Sequence, residues 1–231
     1  MINKNIFQIV ISDVDPSSEL LDSIKQKVLD VYKSYNYVLY TDEHIKDFLL
    51  DYNPELLQAY QKLKPYAFKA DLARYCLLER FGGWYFDISL HPNFYYANDR
   101  PAVFFYNKNK KLIENCVMYS DPGNVLFQNV LEKIKHNVAS NYYGNTTLCV
   151  TGPQILTNEF NKLDRTISKK FMYGAFNNYE CNDLALRETL TISGKNFVNY
   201  KKHGQFGIVH LGIQGTNLYH TMWDNRNIYN D

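Results

Sequence analysis

The chain opens on an apolar run, Ile6-Phe7-Gln8-Ile9-Val10-Ile11, broken only by Gln8 and closed by the turn pair Ser12-Asp13. A β-rich run bounded in this way predicts a buried strand. Leu20, Leu21, Ile24, Val28, Leu29 and Val31 then recur at helical spacing, with Ser17 or Ser18 in place to cap the helix. Tyr37-Val38-Leu39-Tyr40 predicts a second strand, and Thr41-Asp42 caps a second helix through Ile45, Phe48 and Leu49. Pro54 to Leu63 fits a further helix, which Pro65 separates from another over residues 66–80. Gly82-Gly83 stops that helix, Trp84 to Leu90 reads as a strand, and Pro92 punctuates its exit. Farther on, Val103 to Tyr106 predicts a strand, Val125 to Val138 a helix, and Ile155 to Phe160 another helix after Gly152-Pro153. The last third, rich in Asn, Tyr and Gly, yields no clear element boundaries.

Strands alternating with helices predict an α/β fold built on a mixed, mostly parallel sheet flanked by helices. The 231 residues show no internal repeat, low-complexity tract or linker, so one domain over 1–231 is expected.

Composition narrows the function classes. A formal net charge of +1 argues against a nucleic-acid footprint. The lysine groups Lys108-Asn109-Lys110-Lys111, Lys169-Lys170 and Lys201-Lys202 read as solvated surface, or as aids to a peripheral approach to an anionic membrane. Cys76, Cys116, Cys149 and Cys181 form no CxxC pair, which argues against a zinc site. Without a disulfide pattern or a signal peptide, the expected compartment is the cytoplasm, with any lipid-linked substrate met at the inner face of the membrane. The glycines carry no P-loop, and no GxSxG motif is present. The 20 tyrosines supply rings for stacking and hydroxyls for hydrogen bonding, though most serve simply as packing at the core margin.

The chemistry concentrates between Phe68 and Ser89. Asp71 and Arg74, three residues apart, share one helix face. They are either a surface ion pair or, because the helix is apolar over much of its circumference, charges that require a partner or a ligand. On the next strand, alternation puts Trp84, Phe86, Ile88 and Leu90 on one face and Tyr85, Asp87 and Ser89 on the other. Asp87 then stands at a strand's carboxyl end, where open α/β sheets form ligand crevices. It could bind a hard divalent ion, or simply accept hydrogen bonds from loop amides.

The segment Lys69-Ala70-Asp71-Leu72-Ala73-Arg74-Tyr75, followed by Gly82-Gly83-Trp84-Tyr85-Phe86-Asp87-Ile88-Ser89 and Pro92, resembles the DXD-containing sugar-binding region of glycosyltransferase family 32. That family is related to yeast initiating mannosyltransferases, to bacterial capsule and lipopolysaccharide transferases and, more distantly, to glucosylating clostridial toxins. The resemblance covers residues 68–92, with weaker support at Ile6 to Val10, Tyr40-Thr41-Asp42, Pro54 to Leu57 and Thr151-Gly152-Pro153. It implies a GT-A-type fold and retaining transfer of a sugar from a nucleotide-diphosphate donor, UDP by default, to a saccharide or lipid-linked saccharide acceptor. Asp71, Arg74 and Asp87 would be catalytic, and Gln8, Ile9, Tyr40, Tyr85 and Ser89 would join them around the donor. Thr151, Gly152 and Trp223 would lie on the acceptor side. Ser89 replaces the second DXD acid, so a Mn²⁺ or Mg²⁺ ion held by Asp87, Ser89 and His220 would be bound less strongly. His91 or His210 are further candidates to reach the diphosphate. Two rivals share the fold: an inactive nucleotide-sugar-binding protein, and an interaction domain of a polysaccharide-assembly complex.

Overall fold

The computed structural model describes residues 4–180, 186–202, 211–215 and 217–230. Strand β1 (Asn5–Ile9) leads into helix α1 (Ser18–Leu29), whose Leu20 amide donates to the Ser17 hydroxyl as an N-cap. Strand β2 (Asn36–Tyr40) follows, then α2 (Asp42–Tyr52), capped reciprocally by Thr41 and His44. Helix α3 (Pro54–Lys62) begins on an Asn53 cap with proline in its first turn, and α4 (Tyr66–Phe81) starts directly after Pro65. These elements match the hydrophobic pattern closely, because Ser17, Thr41 and Asn53 cap the starts of α1, α2 and α3, and Pro65 and Gly82 bound α4.

Strand β3 (Gly83–Phe86) is shorter than the predicted Trp84–Leu90 strand. The Asp87 amide still bonds to the Cys116 carbonyl, but the chain then turns, with Leu90 N–H donating to Asp87 O. Buried Gln8 fixes that turn: its Nε2 donates to Asp87 O and to Leu90 O, each at 3.1 Å.

Beyond β3 run β4 (Ala102–Asn107), β5 (Leu112–Ser120), α5 (Val125–Ala139), α6 (Pro153–Lys162), the short α7 (Arg165–Ser168), β6 (Met172–Glu180), β7 (Leu186–Ile192), β8 (Lys195–Lys202) and α8 (Tyr219–Asp224). Strand order is β2-β1-β3-β5-β4-β6-β7-β8. The sheet is mixed, as expected, but not mostly parallel. Among the described residues, β1–β2, β1–β3 and β4–β6 pair in parallel, whereas β3–β5, β4–β5, β6–β7 and β7–β8 pair antiparallel. The two hairpins joining β4 to β5 and β7 to β8 account for much of the difference.

One sheet face packs Phe7, Tyr85, Phe104 and Met118 against α2 to α6. The other packs Trp84, Phe86 and Phe105 against Val28, Tyr32 and the far end of the sheet itself. Phe197 of β8 stacks on Phe105 with rings 6.0 Å apart and reaches Trp84 at 5.2 Å, so the sheet curls back over its own face. Among the described residues no helix is long and apolar enough to cross a membrane.

Candidate functional site

A cleft of about 610 Å³ opens at the carboxyl edge of β1 and β3, where Ile9 ends one strand and Asp87 follows the other. That size suits a small-molecule site. Its floor is the α4 ion pair. Helix α4 buries Phe68, Leu72, Ala73, Tyr75, Cys76, Leu77 and Leu78, leaving Arg74 only 5% exposed. The surface-pair reading therefore falls, because a charge at this depth needs partners on all sides.

Arg74 has them. Its Nη2 lies 3.3 Å from Asp71 Oδ1, and its Nη1 lies 3.2 Å from Asp87 Oδ1 and donates to the Asn115 carbonyl at 2.8 Å. The guanidinium also sits 4.7 Å from the centre of the Tyr85 ring, a cation–π contact. Burial works against the charge, yet Tyr85, Asp87 and Asp71 outweigh it and raise the Arg74 pKa further. Asp71 moves upward, chiefly because burial disfavours its carboxylate, while Arg74, Thr151 and Asn115 pull the other way. Asn115 Nδ2 donates to Asp71 Oδ1 at 2.8 Å and Thr151 Oγ1 donates to Oδ2 at 3.0 Å. Tyr85 donates its hydroxyl to Asp87 Oδ1 at 2.8 Å. Two carboxylates thus share one guanidinium, an assembly with an excess of negative charge facing the cleft.

The predicted residues sort clearly. Asp71, Arg74, Tyr85, Asp87, Ser89, Ile9, Gly152 and His220 all line the cleft. Gln8 does not: its amide is consumed by the carbonyls of the 87–90 turn and by the Tyr37 hydroxyl, so it orients Asp87 from below. Tyr40 lies off the cleft, its ring edge-on to Phe7 and Phe48. Trp223 is also displaced, since its indole N–H bonds to the Tyr143 carbonyl and anchors α8. Thr151 and Gly152 stand beside Asp71; a Cβ at Gly152 would come within 3.3 Å of Asp71 Oδ2. His91 is exposed and outside the cleft, and His210 lies outside the described residues. Replacing Gln8 with leucine is expected to cost about 1–3 kcal/mol, measured by urea unfolding, because two buried carbonyls and the Tyr37 hydroxyl lose their partner.

Sequence reasoning missed Asn115 and Glu114. Both belong to β5, which is buried at every position and so lacks the alternation that marks a half-exposed strand. The β4–β5 register shifts between Val103 and Phe105, and Glu114, Asn115 and Cys116 line the cleft consecutively. Two adjacent polar residues inside an otherwise apolar run were the available signal.

A divalent cation fits the residues present. Among the described residues, Asp87 Oδ2 and the Ser89 hydroxyl bond to no protein group, and both residues line the cleft with His220. No group of three or more His, Cys, Asp or Glu side chains able to hold a metal comes together among the described residues. Substrate oxygens and water would therefore supply the remaining positions of a hard cation.

Part of the chain matches a known sequence family. Residues 18–95 match the glycosyltransferase sugar-binding region containing the DXD motif. The matched stretch contains the Asp71–Arg74–Asp87 assembly, so the resemblance seen in residues 68–92 is borne out. The mannosyl phosphorylinositol ceramide synthase SUR1 of Saccharomyces cerevisiae is 33% identical over 119 residues, which are 48% of this chain and 30% of that protein. The uncharacterized glycosyltransferase L373 of Acanthamoeba polyphaga mimivirus is 29% identical over 154 residues, covering 63% of this chain and 61% of its own. The chain thus spans less than two thirds of the length of either relative. Among solved structures, the PaToxG glycosyltransferase superposes with a TM-score of 0.53 over 70% of this chain and 69% of its own, at 17% identity. That likeness is one of fold, and the fold is of the GT-A type.

Proposed function

We propose that this protein is a retaining glycosyltransferase that moves a hexose from a nucleotide-diphosphate donor to a saccharide or lipid-linked acceptor. The observation that carries the reading is the buried Asp71–Arg74–Asp87 assembly at the floor of the cleft, within the segment matched by the DXD family. Asp71, positioned by Asn115 and Thr151, accepts hydrogen bonds from donor-sugar hydroxyls. Arg74 stays protonated and donates toward the sugar and the bridging phosphate oxygens. Tyr85 holds Asp87 beside the nucleotide diphosphate.

The departing diphosphate needs positive charge, and Arg74 is already shared between two carboxylates. A divalent cation, held by Asp87, Ser89 and His220, would supply that charge. UDP is the default carrier. The name of the yeast relative also makes mannose transfer to an inositol-phosphate lipid a reaction to test.

Screening UDP-glucose and GDP-mannose for thermal stabilisation, with and without Mn²⁺, tests the reading, because a ligand bound only to the folded state raises the unfolding temperature. Stabilisation by neither sugar nucleotide, nor by UDP or GDP, would sink it. Asp87→Ala is expected to weaken donor binding about tenfold or more and turnover by about 10²-fold or more, as loss of a transition-state charge contact does. Ser89 in place of an acid favours a second reading, a nucleotide-sugar-binding protein without turnover. Donor hydrolysis or transfer that disappears in Asp87→Ala would dismiss that alternative.

A further inference from the structure

The cleft rim has two unlike parts. One is the four-residue turn Lys108–Lys111 between β4 and β5, in which Asn107 Oδ1 accepts from the amides of Asn109 and Lys110. Lys108, Lys110 and Lys111 are all exposed, and Lys110 lines the cleft. Lys111 occupies the left-handed position of the turn, φ 56°, which glycine or asparagine fills at lower cost. Among the described residues none of the three lysines has an acidic partner. Glu114, the only acid between residues 101 and 120, is buried and held by Asn107 Nδ2 at 2.7 Å. Tyr106, next to the turn, is 38% exposed.

Another part of the rim carries an exposed aliphatic side chain. Leu218, which also lines the cleft, is 72% exposed just before α8. The adjacent Asn217 is anchored: it accepts from the Tyr66 amide and donates to the Lys64 carbonyl at 2.9 Å each. A chain with net charge +1 therefore concentrates at its cleft rim three lysines that have no acidic partner among the described residues, an exposed aromatic and, at Leu218, an exposed aliphatic side chain.

We infer that this rim is a docking surface for an anionic phospholipid bilayer. The lysines meet the headgroup phosphates, while Leu218 and Tyr106 enter the interface. A soluble polyanion would complement the lysines equally well but would leave Leu218 without a partner. Taking the transferase reading as given, docking would present the cleft to acceptors carried in the membrane; the binding itself does not depend on catalysis.

Vesicle sedimentation of the full chain tests the inference. Vesicles of phosphatidylcholine with about 30 mol% phosphatidylserine are expected to bind about tenfold or more tighter than phosphatidylcholine alone, with the difference shrinking as salt rises from about 0.1 to about 0.5 M. The variant Lys108→Ser/Lys110→Ser/Lys111→Gly should lose about tenfold or more in binding to the anionic vesicles, in line with the worth of juxtamembrane lysines. Leu218→Ser should lose several-fold on vesicles and nothing on a single-stranded oligodeoxynucleotide. Thermal unfolding of each variant establishes that it folds, and Lys111→Gly suits the left-handed turn.

Indifference of binding to anionic lipid, an unchanged triple variant, or equal binding of the oligonucleotide with no effect of Leu218→Ser would each overturn the proposal. Measuring donor-induced stabilisation on the same preparation separates the two ideas. Vesicle binding without donor binding leaves the surface standing and removes the transferase reading; the reverse removes the surface alone.

Discussion

Arg74→Ala is expected to abolish sugar transfer and to lower the stability of the fold by about 3–5 kcal/mol, the cost of leaving a buried charge without its partner. For a chain of this length that corresponds to a fall of roughly 6–20 °C in the unfolding midpoint. The reason lies in what remains: Asp71 stays in the cleft floor with only Asn115 and Thr151 as partners, and Asp87 keeps only Tyr85. Burial already raises the Asp71 pKa, and losing the nearby guanidinium raises it further. An acid whose folded pKa exceeds its unfolded value favours folding most at pH below the unfolded value. That favour is lost as pH rises through the folded pKa. The stability deficit of Arg74→Ala should therefore shrink as pH is lowered from neutral toward the ordinary carboxylate range, measured by urea unfolding at a series of pH values. Combining it with Asp71→Asn should restore stability at neutral pH but no transfer. A deficit independent of pH would mean that lost packing, rather than the unpaired carboxylate, dominates.

The second large effect is structural. Gly83→Ala is expected to cost about 2–6 kcal/mol through backbone strain and overpacking together. Gly83 has φ 117°, and a Cβ there would fall 2.4 Å from the Asn5 carbonyl oxygen. Gly82 at φ 62° ends α4, and Gly83 at once lets β3 pass close beside β1. The same two residues set the distance between the α4 ion pair and the strand that delivers Asp87. Activity should accordingly fall with the folded fraction. Gly123→Ala makes a useful control: its φ is also positive, 71°, but a Cβ there meets nothing within 4 Å, so only the strain is added. Equal destabilisation of the two variants, read by thermal unfolding, would refute the close-approach account.

The first half of the fold was legible because its signals are local. Ser17, Thr41, Asn53, Pro65 and Gly82 each mark a helix end through their own hydrogen bonds or backbone preference. The second half was not, for β5 is buried throughout and carries no period, and β6 takes its place by pairing with β4, distant in sequence, with β7 and β8 following it as antiparallel neighbours. Among site residues, Asp71, Arg74 and Asp87 could be named from spacing. Asn115 could not, because its role arises from lying opposite α4, 41 positions beyond Arg74.

By itself the sequence determined the β-α-β-α opening, the shared helix face of Asp71 and Arg74, the glycine break and the acid that follows the strand, all short-range consequences of residue type and spacing. Only the tertiary structure decided that the ion pair is buried, that Asp87 completes it, and that Gln8 and Trp223 serve as braces. Those facts depend on which polar groups meet when distant segments pack, and the strength of a charge interaction depends on the depth at which the meeting occurs.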